Sequence, residues 1–338
     1  MNTLYQNALH KISQKTPPIW FMRQAGRYHS HYQNLRSKNS FDQLCKIPEL
    51  ASEVALGPIQ DFDFDVAILF SDILYPLQAL GMGLEYTDHG PRLGFQLNDE
   101  NFSQLKSVEE SISFMEFQKL AMIQTREKLP ENKSLIGFVG GPWTLFVYAV
   151  EGGHAGSLIL SKKNLLLFQK FSVLIENFLI QNIQLQLDGG AETIMIFDTA
   201  AGEVSPLFFQ TYLQPIISRL VLKFPKKLGY YSKGTQSVFF DEAFKALPLA
   251  GQGFDHRCSL PKIFQEKHQG FVQGNFDQAF LHMENSDFKK VLSAYIKDLK
   301  NLTEQERVGW VSGLGHGVLP KTPEQNVRDF VELIRKEF

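Results

Sequence analysis

The sequence predicts an α/β fold, a closed (β/α)₈ barrel of the TIM type in a single domain. Three observations carry this. Eight short apolar runs recur along the 338 residues, most of the segments between them are long enough for a helix, and each run ends in a polar or glycine-rich turn. Continuous apolar strands alternating with helices indicate a parallel sheet buried on both faces. Eight of them favour a closed barrel over an open doubly wound sheet. A chain of this length with 43% hydrophobic residues can bury a core of that size. No fixed-period repeat, low-complexity tract or linker-like stretch divides it, so residues 1–338 read as one domain, with 1–16 set apart as an N-terminal extension.

In order, the runs are "IWFMRQ" (19–24), "VAILFSD" (66–72), "SLIGFVGG" (134–141), "TIMIFDT" (193–199), "KLGYYSKG" (227–234), "LAGQGFD" (249–255), "GFVQGNFD" (270–277) and "GWVSGLGHG" (309–317). Barrels of this kind do their chemistry at the C-terminal ends of the strands. Those ends carry Arg23, Asp72, Gly140 and Gly141, Asp198 and Thr199, Asp255, Asn275 and Asp277, and His316. Between runs, "NLLLFQKFSVLIENFLI" is broken by Gln169, Lys170, Glu176 and Asn177, so it cannot span a bilayer, which takes about 20 apolar residues. Its Leu167, Phe171, Leu174 and Phe178 recur at helical spacing and form a core-facing stripe. Near the C-terminus, Thr322 and Gln325 make a capping-box pattern with Pro323 at the first helical position, ahead of Val327, Phe330, Val331 and Ile334.

The formal net charge of −2 argues against a general nucleic-acid or anionic-membrane binder. Charge is nevertheless uneven. No Asp or Glu occurs before Asp42, while Lys11, Lys15, Arg23, Arg27, Arg36 and Lys38 do. Pro17, Pro18 and Trp20 spoil an amphipathic targeting helix there, so these cations await a local anionic ligand. Two cysteines, Cys45 and Cys258, form no CxxC pair and no disulfide framework, which fits a reducing cytoplasm.

Arg23 and Arg27 flank Gln24, Ala25 and Gly26, with Arg36 nine residues further on. Guanidinium groups bind carboxylate or phosphate in bidentate fashion, and small residues between them free backbone N–H groups to join as an oxyanion nest. Asp72 and Asp198 each end an apolar run; either is a helix N-cap or a functional acid, and Thr199 is an equal candidate for the cap. Pro142 opens a helix after Gly140 and Gly141, and Tyr148 lies on it as either a site residue or a packed one. His316 sits between glycines, uncrowded, with a near-neutral pKa expected, so acid, base and anion contact are all open to it. The glycine-rich "EGGHAGS" lacks a following Lys at P-loop spacing, and no GxSxG elbow or GxGxxG fingerprint occurs. His256 and Cys258 offer half a metal site, short of the three protein ligands zinc requires.

Taken together, "PIWFMRQAGRY", "FSDIL" with "QALGM", "GFVGGPWTLFVYAVEGG", "IFDTAAG", "QGNFD" and "GLGHG" resemble, in the same order, the blocks of the uroporphyrinogen decarboxylases. The resemblance implies a (β/α)₈ barrel, commonly a homodimer, that removes four acetate carboxyl groups from uroporphyrinogen without cofactor or metal. By motif it implies that Arg23, Gln24, Ala25, Gly26, Arg27 and Arg36 bind substrate carboxylates. Asp72 would meet the pyrrole N–H groups, Tyr148, Thr199 and His316 would line the cleft, and Phe138 and Phe197 would form its apolar wall. Asp72, Arg23, His316 and Tyr148 form the implied catalytic set, with Arg23 and His316 both open as proton donor. Asp255-His256 departs from the Asp-Trp often found in the family, which puts local barrel packing in question.

Overall fold

A computed structural model describes residues 3–87, 90–266 and 268–338. Strands β1 (Val66–Ile68), β4 (Ser134–Gly140), β5 (Thr193–Phe197), β6 (Leu228–Tyr231), β7 (Gly251–Gly253), β8 (Phe271–Phe276) and β9 (Trp310–Leu314) form one parallel sheet in that order. A separate antiparallel hairpin, β2 (Leu84–Thr87) and β3 (Gly90–Leu93), follows β1. Every barrel strand is buried along its whole length, as expected where helices cover one face of the sheet and side chains fill the interior.

The first run does not extend as a strand. Ile19 makes a single parallel bridge to Ser312 on β9, while on its other side Asp65 N donates to Ile19 O at 2.9 Å and Asp65 Oδ2 accepts from Ile19 N at 2.8 Å. That bridge closes the sheet between β9 and β1. The reason the run stops is local. Gln24 N donates to Phe21 O, Gln24 Oε1 accepts from Phe21 N, and Arg23 has φ of 60°, so the chain turns before a second pairing forms.

The N-terminal extension packs rather than dangles: Tyr5 is fully buried and its hydroxyl lies 2.8 Å from Thr193 Oγ1 at the start of β5. In the Leu165–Asp188 helix, Leu167, Phe171 and Phe178 are buried and Leu174 packs against the same core, as their spacing predicts. The C-terminal helix starts at Glu324, but without a capping box. Thr322 Oγ1 is already committed to Leu319 O at 2.8 Å, and Gln325 turns its amide forward to Asp329. The Asp255-His256 departure leaves the barrel intact, since β7 pairs with both β6 and β8.

Candidate active site

The loop 21–29 is rooted from below and open above. Gln24 Nε2 donates to Val66 O at 2.8 Å, Tyr28 Oη donates to Gln24 O at 2.7 Å, and His29 Nε2 lies 2.7 Å from Asp61 Oδ2. Gln24 is fully buried and both ends of its amide are used within the protein, so its side chain is a strut of the loop. Ala25 packs beneath, against the Tyr32–Leu35 cluster. Among the described residues the backbone N–H groups of Ala25, Gly26 and Arg27 have no protein acceptor, while Arg23 and Arg27 stand exposed. Free N–H groups beside two exposed guanidinium groups are the donors an oxyanion nest requires.

Arg23 is the hub. Its side chain runs past Gly317, where a Cβ would fall 2.6 Å from Arg23 Cδ, and its charge bears on Asp72, Tyr148, Tyr231 and His316 together. Four segments distant in sequence therefore converge at the C-terminal ends of the strands. Arg27 and Arg36 sit further out, both acting on Tyr32, whose ring is 5.6 Å from that of Phe70.

Asp72, half-buried beyond β1, accepts from Leu74 N at 2.8 Å, so its carboxylate stabilises the turn that begins the next helix. Burial raises its pKa, opposed by the Leu74 hydrogen bond and by Arg23. Tyr86, on β2, also bears on Asp72, although its buried hydroxyl lacks a partner of ordinary hydrogen-bond geometry. Beneath them Cys45 is a packed thiol, pushed up by burial.

A row of rings continues along the strand ends. Phe138 and Phe197 lie 5.5 Å apart, Phe197 and Tyr231 6.1 Å, and Tyr231 stacks on His316 at 6.1 Å with only 8° between planes. Thr199, half-buried, follows Asp198 at the end of β5. His316 does not titrate near neutrality as its loop suggests: burial first, then Arg23 and Lys233, lower its pKa to about 4. It is a neutral imidazole at pH 7. Lys233, exposed after β6, also acts on His154 in the 152–157 loop, which puts a further cation at the mouth.

Sequence reasoning missed Tyr86, Tyr231 and Lys233. The last two lie within the "KLGYYSKG" run and were readable as a strand end; Tyr86 carried no such signal. Asp198 caps a helix, but not the one following it. Its Oδ1 accepts from Thr144 N at 2.9 Å and Thr144 Oγ1 at 2.7 Å, in the first turn of the Pro142–Glu151 helix, and burial raises its pKa to about 6. Among the described residues no group of three or more His, Cys, Asp or Glu side chains is placed to hold a metal ion. Cys258 Sγ instead faces Thr235 O at 3.7 Å. No helix of the described residues is long and apolar enough to cross a membrane.

The folds of two solved structures match this one: a methyltransferase from Methanosarcina mazei (TM-score 0.76, 17% identity, 99% of each chain) and a B12-independent methionine synthase from Shewanella sp. W3-18-1 (TM-score 0.53, 11% identity, 96% of each chain). At such identities they speak for the fold alone. Sequence relatives are nearer. A uroporphyrinogen decarboxylase from Synechococcus sp. is 33% identical over 95% of this chain and 93% of its own. One from Chlorobaculum parvum is 32% identical over 99% and 98%. The family model described as uroporphyrinogen decarboxylase (URO-D) matches residues 1–337. With that match running essentially end to end, the chain belongs to the uroporphyrinogen decarboxylase family.

Proposed function

We propose that the protein decarboxylates the four acetate side chains of uroporphyrinogen to methyl groups, giving coproporphyrinogen in porphyrin biosynthesis, with Asp72 at the centre and the arginines at the rim. The observation that carries the assignment of roles is the convergence of Asp72, Tyr148, Tyr231 and His316 on one guanidinium, that of Arg23.

The substrate is an octa-anion around an apolar macrocycle. The nest at 25–27 with Arg23, Arg27 and Arg36 answers its carboxylates, and Phe138 and Phe197 answer its rings. Loss of CO₂ from an acetate pushes the electron pair of the breaking C–C bond onto the methylene, which is prohibitive without a sink. Protonation of the neighbouring pyrrole α-carbon makes that sink in the substrate. The pair enters the cationic ring, CO₂ leaves, and the exocyclic methylene takes a proton as the ring gives one up. No cofactor need supply the sink.

Asp72 stabilises the pyrrole cation as it forms. Its burial strengthens the effect, because a carboxylate short of solvation gains more from an approaching cation. Arg23 holds the reacting acetate, since a guanidinium does not give up its proton in proteins. His316 is the candidate proton donor: substrate carboxylates offset the Arg23 and Lys233 charges that add to burial in depressing its pKa, which moves that pKa upward in the complex.

Anaerobic incubation with uroporphyrinogen, followed by chromatographic counting of carboxyl groups, tests the activity; expected is a tetracarboxylic product, and unchanged octacarboxylic substrate would overturn it. We further propose a homodimer in the cytoplasm. The free thiols of Cys45 and Cys258 suit that compartment, and Leu166 and Val173, 73% and 63% exposed on one helix, suit an apolar contact. A monomer mass by light scattering would remove the dimer.

A further inference from the structure

We infer that Thr144 and Asp198 are positioning residues whose hydrogen-bond knot fixes Tyr148 against Thr199 across the cleft. This rests on the reading of Tyr148 and Thr199 as substrate-facing.

Asp198 is fully buried at the end of β5. Its Oδ1 takes both the backbone N–H of Thr144, at 2.9 Å, and the Thr144 hydroxyl, at 2.7 Å. Thr144 Oγ1, having donated its hydrogen, accepts from Ala200 N at 3.0 Å. The three bonds join the first turn of the Pro142–Glu151 helix to the residues on both sides of Thr199. Tyr148 is four residues on from Thr144 and so lies one turn further along the same helix face. One knot thereby sets two cleft residues from different strand–helix units.

The arrangement exceeds what capping needs. Gly141 is the N-cap and supplies no side-chain acceptor, so Asp198 of the neighbouring strand does it instead. Gly141 also makes room: a Cβ there would lie 2.3 Å from Asp198 Cβ. A cap needs only the bond to Thr144 N. The relay from Asp198 through the hydroxyl to Ala200 N adds orientation of the turn that carries Thr199, and it requires a hydroxyl at position 144.

The test compares Thr144→Val, which keeps volume and loses the hydroxyl, with Thr144→Ser, which keeps the hydroxyl. Coproporphyrinogen formation is measured well below the melting transition, with folding checked by circular dichroism. Expected is a fall in kcat of about ten- to a hundredfold for the valine variant, the cost typical of a reactant misplaced by about 1 Å, with KM changed far less, and recovery of kcat in the serine variant. Wild-type kcat in Thr144→Val would overturn the inference, as would equal losses in both variants, which would make packing the cause. Thr144→Ala takes the place of the valine variant if that one does not fold. Tyr148→Phe separates the two ideas. Full activity in it sinks the assignment of the site, whereas its loss beside an unimpaired Thr144→Val sinks the knot alone.

Discussion

Tyr231 Oη lies 3.1 Å from His316 Nδ1 and 2.8 Å from Gly315 O. The phenol has one hydrogen, and the nearer acceptor, Gly315 O, takes it. Nδ1 must then be the protonated nitrogen of the neutral ring, donating to Tyr231, which leaves Nε2 as the free lone pair. Tyr231→Phe keeps the stack and removes this tautomer lock. We expect kcat to fall roughly tenfold with little change in KM, the loss typical of a disturbed acid–base group; steady-state kinetics with uroporphyrinogen checks it, and an unchanged kcat would remove the lock from the mechanism.

Asp72→Asn should cut turnover by about a hundredfold or more, the scale of losing one group aimed at developing charge. Stability should hold or rise, because burial raises the pKa of Asp72 and the charged form is the costly one. Coproporphyrinogen yield and a urea melt decide it together. Near-normal yield would end the assignment.

The pH dependence separates the free and bound states of His316. Its pKa of about 4 in the free protein is held down by burial, Arg23 and Lys233. A general acid works only while protonated, so kcat should decline as pH rises through a bound-state pKa above 4. His316→Gln should abolish that decline and leave a low, flat profile. A kcat independent of pH from about 5 to 9 in the unmodified enzyme would refute His316 as the acid.

Gln24 and Arg27 are close in sequence and opposite in environment, one buried and one exposed. Gln24→Ala leaves Phe21 N and Val66 O without partners and should cost on the order of 1–3 kcal/mol in a denaturant melt. Arg27→Met should leave the melt unchanged and raise KM. The reverse pattern would mean that the loop is mounted the other way up.

Asp198 gives a linkage test. Its folded pKa of about 6 lies above the ordinary 3.8, so its contribution is fully present below pH 3.8 and is lost as pH rises through 6. The ionised form then costs on the order of 3 kcal/mol. Asp198→Asn should therefore gain stability relative to the unmodified protein at pH 8 and lose that advantage near pH 4. Urea melts at the two pH values check the sign.

Much of this was legible in the sequence because buried parallel strands announce themselves as unbroken apolar runs, and what terminates each run lies where barrels do chemistry. What was not legible are contacts that only the folded chain makes, some local and some long-range. Gln24 looks like a site residue because arginines flank it, yet its amide is claimed by Val66. The hydroxyl of Thr322 has the right spacing for a cap but is committed to Leu319 O. His316 is uncrowded by its own neighbours, and it is Arg23, from the other end of the chain, that adds to burial in depressing it. Tyr86 sits on a hairpin with no strand-end signal, and only folding brings it to Asp72.

The Ile19–Ser312 bridge makes the barrel a ring with a clasp. Its neighbours share runs of parallel pairing, while this junction has one bridging pair, and the segment leading from it is the one that carries Arg23 and Arg27. Local opening of the ring is expected along this first segment, which has two backbone hydrogen bonds to Ser312 and one from Asp65. On the proposed reading, substrate held between Arg23 on one side of the clasp and His316 on the other would fasten it, coupling occupancy of the cleft to integrity of the barrel.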